Sequence, residues 1–99
     1  MVKEFNGNLT VTASSIDNSP LFVVDNNNFS IQVIGTVTGD LQLEESLDRE
    51  GPWAIVKDSK ITAEGETTIF NVHGLSNGIF IRVGSACGSG NITRIIYKS

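Results

Sequence analysis

The stretch FSIQVIGTVTGDLQLEESLDREGPW, from Phe29 to Trp53, decides the fold of this 99-residue chain. Successive side chains of a β-strand face opposite sides of a sheet, so a strand with one buried face carries an apolar residue at every second position. That pattern occurs on both sides of Gly39-Asp40, at Phe29, Ile31, Val33, Leu41 and Leu43. The stretch therefore predicts a β-hairpin, with its turn at Gly39-Asp40, in the middle of a sheet.

Short runs with strand character, separated by turn residues, fill the rest of the chain. Ile34 and Val37 fall out of phase with the preceding residues, which predicts a bulge near Gly35. Residues 57–66 are typical of a loop or an edge strand, and no helical period appears. The other predicted strands are residues 9–13, 21–24, 53–56, 67–72, 79–83 and 92–98. We expect an all-β fold, a single antiparallel β-sandwich of seven to eight short strands, either open or closed into a small barrel.

The N-terminus is polar and contains the turn sequence Asn6-Gly7-Asn8. We interpret residues 1–8 as a flexible arm and residues 9–99 as one β-sandwich domain, since a chain of this length supports one core. The N-terminus lacks the apolar core of a signal peptide, and no run is long enough to span a membrane. The sequence therefore predicts a protein without a signal peptide and without a membrane partner.

The charge of the chain is acidic and unevenly distributed. Seven basic and eleven acidic residues give a net charge of −4, which argues against nucleic acid as a partner. Residues 25–66 hold nine acidic and three basic residues, whereas residues 67–99 hold Arg82, Arg94 and Lys98 and no acidic residue. These regions could pair within the chain or between neighbouring copies, and an incidental surface distribution is the simpler interpretation.

Residues able to carry catalysis are few. His73 is the only histidine and lies beside Gly74, where a surface position is expected. Cys87 is the only cysteine, so no disulfide can form within the chain, and no catalytic signature surrounds it. The glycine-rich residues 84–90 precede a predicted strand instead of a helix, which excludes a phosphate-binding loop. We predict that the chain is not an enzyme and has no cofactor.

One histidine and one cysteine cannot form a transition-metal site, so no metal is predicted. A calcium site at Asp48 and Glu50, or at Asp25 with neighbouring Asn oxygens, stays open as a weaker alternative. Trp53 and Tyr97 could pack in the core or stack on a sugar, and core packing is the expected use of both.

Two segments resemble the small β-sandwich proteins found among the virion structural genes of tailed bacteriophages. The first comprises FSIQV at residues 29–33, GTVTG at 35–39, LQLEES at 41–46, an acidic turn and Trp53. The second comprises GIFIRV at residues 78–83, a Gly/Ser turn and a strand ending at Lys98. The chain departs from the pattern at Gly84, where an aromatic residue is common, and at Cys87.

The resemblance implies a non-enzymatic virion protein, a capsid decoration or cement protein that binds and stabilises the head shell, or an accessory tail component. It implies localisation in the virion, the major capsid protein or other virion proteins as partners, and a homo-oligomer. The alternative is a carbohydrate- or host-surface-binding module of a phage tail. We expect the partner-binding residues in exposed loops, at Asn26, Asn27, Asn28, Asp48, Arg49, Glu50, Trp53, Ser85, Cys87, Ser89 and Asn91.

Overall fold

The computed structural model describes residues 1–63 and 65–99, and eight antiparallel β-strands make up its regular structure. The predicted all-β class is confirmed, and the sheet comes close to a closed barrel. The strands are β1 (Val2–Val11), β2 (Phe22–Val23), β3 (Asn28–Ser46), β4 (Ala54–Ile55), β5 (Ile61–Ala63), β6 (Thr67–His73), β7 (Phe80–Ser85) and β8 (Ser89–Lys98).

Strand β3 belongs to two sheets. In sheet A the order is β1-β8-β3-β6, and residues 28–38 supply the β3 part of it. In sheet B residues 39–46 pair with β7, β4 and β5, and β2 adds to the far side of β7. One strand of 19 residues therefore carries the hydrogen bonds that join the two halves of the core.

The predicted hairpin turn at Gly39-Asp40 is wrong. The chain continues through these residues as one strand, and both stay in the ladder, opposite Ala63 and Thr62. Gly39 has φ +82°, and a Cβ there would overlap the carbonyl oxygen of Cys87. The glycine thus lets β3 bend from sheet A into sheet B where another residue would collide with the backbone, and no reversal occurs.

The predicted bulge near Gly35 is confirmed. The pairing of β3 with β8 shifts register between Ile34 and Gly35. Gly35 has φ +157°, and a Cβ on it would meet the backbone of Asn91 and Ile92. The bulge accounts for the change of apolar phase between Ile34 and Val37.

The boundary predicted between an arm at residues 1–8 and a domain from residue 9 is also wrong. Strand β1 begins at Val2 and pairs with β8 from Val2–Lys98 to Val11–Gly90. The polar Asn6-Gly7-Asn8 segment lies at a register shift within the strand, between Asn6 and Leu9. A bulge in an edge strand accepts the same residue types as a loop. The polarity of Asn6-Gly7-Asn8 therefore does not distinguish a bulged strand from a flexible arm.

The core fills the space between the sheets, and three aromatic rings lie at its open side between β1 and β2. Tyr97 is fully buried, with its ring centroid 5.6 Å from that of Phe22 and 5.1 Å from that of Phe29. Lys3 lies over the Tyr97 ring and donates a hydrogen bond to the Val23 carbonyl at 3.3 Å. These contacts join β1 to β2, between which no backbone ladder forms among the described residues.

The bend in β3 predicts different costs for two glycine substitutions. Gly39→Ala and Gly74→Ala both place a side chain at a left-handed φ (+82° and +88°), which costs about 1–2 kcal/mol. Only Gly39 also faces a backbone atom, because nothing lies within 4 Å of a Cβ at Gly74. We expect Gly39→Ala to lower the free energy of unfolding by about a further 1–3 kcal/mol, measured by urea denaturation. An equal loss of unfolding free energy in the two variants would contradict the close approach of Gly39 to the Cys87 carbonyl.

Candidate functional site

The predicted partner-binding residues occupy three regions of the surface. Asn26 to Asn28 form the turn between β2 and β3, where the Asn28 N–H donates to the Asn26 side-chain oxygen at 3.0 Å. The Asn28 side chain in turn contacts His73 Nδ1 at 2.8 Å. His73 is exposed, as its sequence position predicted. The turn thus uses its own polar groups to hold its shape.

A polar cleft of about 450 Å³ lies between this turn and the β6–β7 loop. Its walls are residues 25–27 and 74–77, which present mainly amide and hydroxyl groups. The two loops are joined by hydrogen bonds from Gly74 N–H to the Asn27 carbonyl (2.8 Å) and from Gly78 N–H to the Val24 carbonyl (2.7 Å). The cleft lacks the apolar lining of an ordinary small-molecule site.

Tyr97 fixes one side of this region from inside the core. Its hydroxyl donates to Asp25 Oδ1 at 2.7 Å and accepts the Asp25 backbone N–H at 3.1 Å. Core packing was the expected use of Tyr97 and is confirmed. The hydrogen bond from Tyr97 lowers the pKa of Asp25, and burial raises the pKa of Tyr97 to about 12. Asp25 is therefore committed to an internal contact, which does not favour it as a calcium ligand.

The second region comprises the end of β7, the connection that follows it and the start of β8. The predicted exposed loop is wrong for Ser85, Ser89 and Asn91, which lie in these strands. Ser85 is also buried, and its hydroxyl accepts the Gly88 N–H at 2.9 Å, so it shapes the connection. Cys87 is exposed. Ser89 and Asn91 are exposed as well, and each already shares a hydrogen bond with a neighbouring strand, to Thr38 and Asn8 respectively.

The third region lies on the outer face of sheet B. The pairing brings Val23, Phe80 and Ser46 into one row across the sheet, and Arg82, Glu44 and Ile55 into the next. The loop after β3 places Arg49 on Phe80 and Trp53 against Arg82. We call this surface the arginine–aromatic face: Val23, Glu44, Leu47, Arg49, Trp53, Ile55, Phe80 and Arg82.

Two arginines of this face stack on aromatic rings. The Arg82 guanidinium lies 4.2 Å from the centroid of Trp53 and bonds Glu44 Oε1 at 2.7 Å. The Arg49 guanidinium lies 5.1 Å from the centroid of Phe80. Cation–π contacts of this kind order long side chains at a surface, and the ion pair at Glu44 adds to that order.

The loop that carries Arg49 is held by its own hydrogen bonds. The Ser46 hydroxyl accepts the Asp48 N–H at 3.0 Å and donates to the Asp48 carbonyl at 2.7 Å. The Asp48 carboxylate accepts the Glu50 N–H at 2.9 Å. The Asp48 side chain therefore shapes the turn, and Asp48 and Glu50 flank Arg49 in the sequence.

Core packing was expected for Trp53 and is wrong for this residue. Trp53 is half-buried on the outside of sheet B, between Arg82 and the backbone of Gly51. A Cβ on Gly51 would come within 2.8 Å of the indole, so the missing side chain makes room for the ring. The sequence does not reveal this arrangement, because Arg82 lies 29 positions further along the chain.

Phe80, Arg82 and Ile55 were not among the residues predicted to bind a partner. A signal existed, because Phe80 and Arg82 alternate with the buried Ile79, Ile81 and Val83 and must therefore face outward. Aromatic residues and arginine are enriched in protein interfaces, which makes Phe80 and Arg82 candidates for binding a partner.

Several large apolar side chains are exposed on or beside this face. Leu47 is 85% exposed, Ile55 60% and Val23 37%.

Within the described residues, no group of three His, Cys, Asp or Glu side chains could hold a metal ion. No helix long and apolar enough to cross a membrane occurs in the described part of the chain either.

Comparison with known proteins gives little. No protein-family model and no curated protein matches the chain. One solved structure that aligns with it is described by the words "Bacillus endospore appendages form a novel family of disulfide-linked pili". The alignment covers 100% of this chain and 87% of that chain, at 17% identity and a TM-score of 0.39. We draw nothing about function from a likeness this low.

The burial of Tyr97 predicts its titration directly. It is the only tyrosine, so the absorbance of tyrosinate reports one group. Since burial disfavours the charged form, we expect the folded chain to titrate near pH 12 and the urea-unfolded chain near the ordinary pKa of 10.0. Because the folded pKa is the higher, stability is fully present below pH 10 and is lost as the pH rises towards 12.

Tyr97→Phe should flatten this alkaline loss of stability, measured by urea denaturation at several pH values. Ser14→Ala, at an exposed position between β1 and β2, serves as the control and should keep the slope. Titration of Tyr97 near pH 10 in the folded chain would contradict the buried position.

Proposed function

We propose that this chain is a non-enzymatic structural protein of a bacteriophage virion, which decorates the capsid and stabilises it by binding protein through the arginine–aromatic face. The observation that carries the proposal is this face itself, where exposed aliphatic side chains surround two arginine–aromatic stacks. Assignment to a phage rests on the resemblance of residues 29–53 and 78–98 to small virion proteins.

The chemistry of the face is that of a protein interface. Aromatic residues and arginine are enriched in such interfaces, and a few of them near the centre supply most of the binding energy. Exposed aliphatic side chains that cluster, such as Leu47 and Ile55, lose contact with water when a partner covers them. The stacks also pre-order Arg49 and Arg82, which lowers the entropic cost of binding.

A decoration protein binds more tightly when several linked copies bind the capsid at once. A capsid presents the same site many times, so modest contacts become tight when subunits bind together as linked copies. A chain of 99 residues with one small face suits this mode, since it need not bury a large area in each contact.

The sugar-binding alternative has less support. A carbohydrate platform needs an aromatic face open to solvent. Arg82 covers one face of Trp53, and the Gly51 backbone lies against the ring edge. Tyr97 is fully buried and offers no platform.

Two exposed isoleucines provide a matched test of the proposed function. Ile55 lies on the arginine–aromatic face and Ile69 on the outer face of sheet A, with 60% and 49% exposure. We expect wild-type protein to co-sediment with capsids of the encoding phage and to saturate at a stoichiometry that matches a lattice position. Ile55→Ser should weaken this binding about tenfold or more, and Ile69→Ser should leave it unchanged.

Both isoleucines point away from the core, so thermal unfolding of the two variants should resemble that of the wild type. Absence of pelleting above a shell-free control would reject the decoration role. Equal binding by the two variants would reject the arginine–aromatic face as the surface used.

A further inference from the structure

A further cavity lies at one end of sheet A, on the outer face of three neighbouring strands. It has a volume of about 430 Å³ and is lined by the start of β3 and the ends of β6 and β8. Strand pairing sets its side chains in two rows: Asn28 beside His73, and Ser30 between Asn71 and Lys98. This sheet A cavity lies apart from the arginine–aromatic face, so the proposed function does not use it.

Two asparagines of the cavity have already used their side-chain oxygens within the chain. The Asn71 oxygen accepts the Ser30 hydroxyl at 2.7 Å. The Asn28 oxygen lies 2.8 Å from His73 Nδ1, whose N–H donates to it. The second polar group of an asparagine side chain is an NH2 group with two donors. Among the described residues these two NH2 groups have no partner, so both are available to a ligand in the cavity.

Lys98 adds a positive charge at the same place. Neither of the ion pairs found among residues 1–63 and 65–99 includes Lys98. The strand segments around the cavity also lack acidic side chains, since residues 28–39 and 67–99 contain none. This end of sheet A is therefore locally basic on a chain whose net charge is −4.

We propose that the sheet A cavity binds a phosphate group. Its donors are Lys98 Nζ and the NH2 groups of Asn28 and Asn71, and no described side chain that lines it is acidic. A phosphate group carries at least three strong acceptor oxygens, which matches three donors, whereas a carboxylate offers two. Lysine binds phosphate as a point charge, and its charge strengthens the hydrogen bonds.

The size and exposure of the cavity set what binds and how tightly. Its volume falls within the range of small-ligand pockets, which leaves room for a larger compound that carries the group. All three donor side chains are exposed, so water competes with the ligand and screens the charge. We expect dissociation constants in the millimolar range.

The test is a nuclear magnetic resonance titration of the nitrogen-15-labelled chain with inorganic phosphate and with glycerol phosphate. The comparison of the two shows whether the cavity takes the free ion or the same group on a larger compound. NaCl at equal ionic strength is the control for screening. We expect saturable shifts of the amide signals of Asn28, Asn71 and Lys98 with phosphate, and no saturable shift with NaCl.

Two variants remove the proposed donors. Lys98→Gln removes the charge, and Asn71→Asp keeps the acceptor for Ser30 while it replaces the NH2 donor with an acidic oxygen. Each should weaken phosphate binding about fivefold or more. Lys60→Gln is the matched control, because it removes the same charge from an exposed lysine outside the cavity, and it should bind phosphate like the wild type.

The spectrum of each variant without phosphate, expected to resemble that of the wild type, shows that it is folded. Absence of saturable shifts with both phosphate compounds overturns the inference. Equal weakening by Lys98→Gln and Lys60→Gln overturns it as well, because binding would then depend on net charge alone. Wild-type affinity in Asn71→Asp would likewise contradict it. No capsid enters this experiment, so its outcome leaves the proposed function to its own test.

Discussion

Strand β3 supplies backbone hydrogen bonds to both sheets, and the rest of the structure depends on that shared ladder. Its first part lies between β8 and β6, and its second part between β7 and the short strands β4 and β5. The strand can serve both sheets because Gly35 and Gly39 allow it to shift and bend where side chains would collide with the backbone. No disulfide can assist within a chain that has one cysteine.

The arginine–aromatic face is a consequence of this arrangement. Once β3 enters sheet B, the alternation that buries Leu41 and Leu43 turns Glu44 outward, opposite Arg82. The ion pair then holds Arg82 over Trp53, while the turn that begins at Ser46 places Arg49 on Phe80. The face is therefore built on the part of β3 that pairs with β7 and β4 in sheet B.

The sequence predicted the fold class and most strand positions, because alternation depends on each strand alone. It could not distinguish a turn from a bend at Gly39, since both use a glycine with positive φ, and the difference depends on β5 and the Cys87 carbonyl. It likewise placed Trp53 in the core because its stacking on Arg82 depends on distant pairing. Residues 48–50 of the loop were predicted to bind a partner, whereas the strand residues Phe80, Arg82 and Ile55 of the same face were not, because only the pairing of distant strands brings them together.

Native-state amide hydrogen exchange along β3 tests the central claim most directly. If one strand holds both sheets together, the amides of residues 31–34 and 41–44 should exchange only through global unfolding, with the same free energy of opening. That free energy should equal the value from urea denaturation of the same sample. Markedly easier opening of one half, with the other still protected, would show that the sheets unfold separately and would contradict the account.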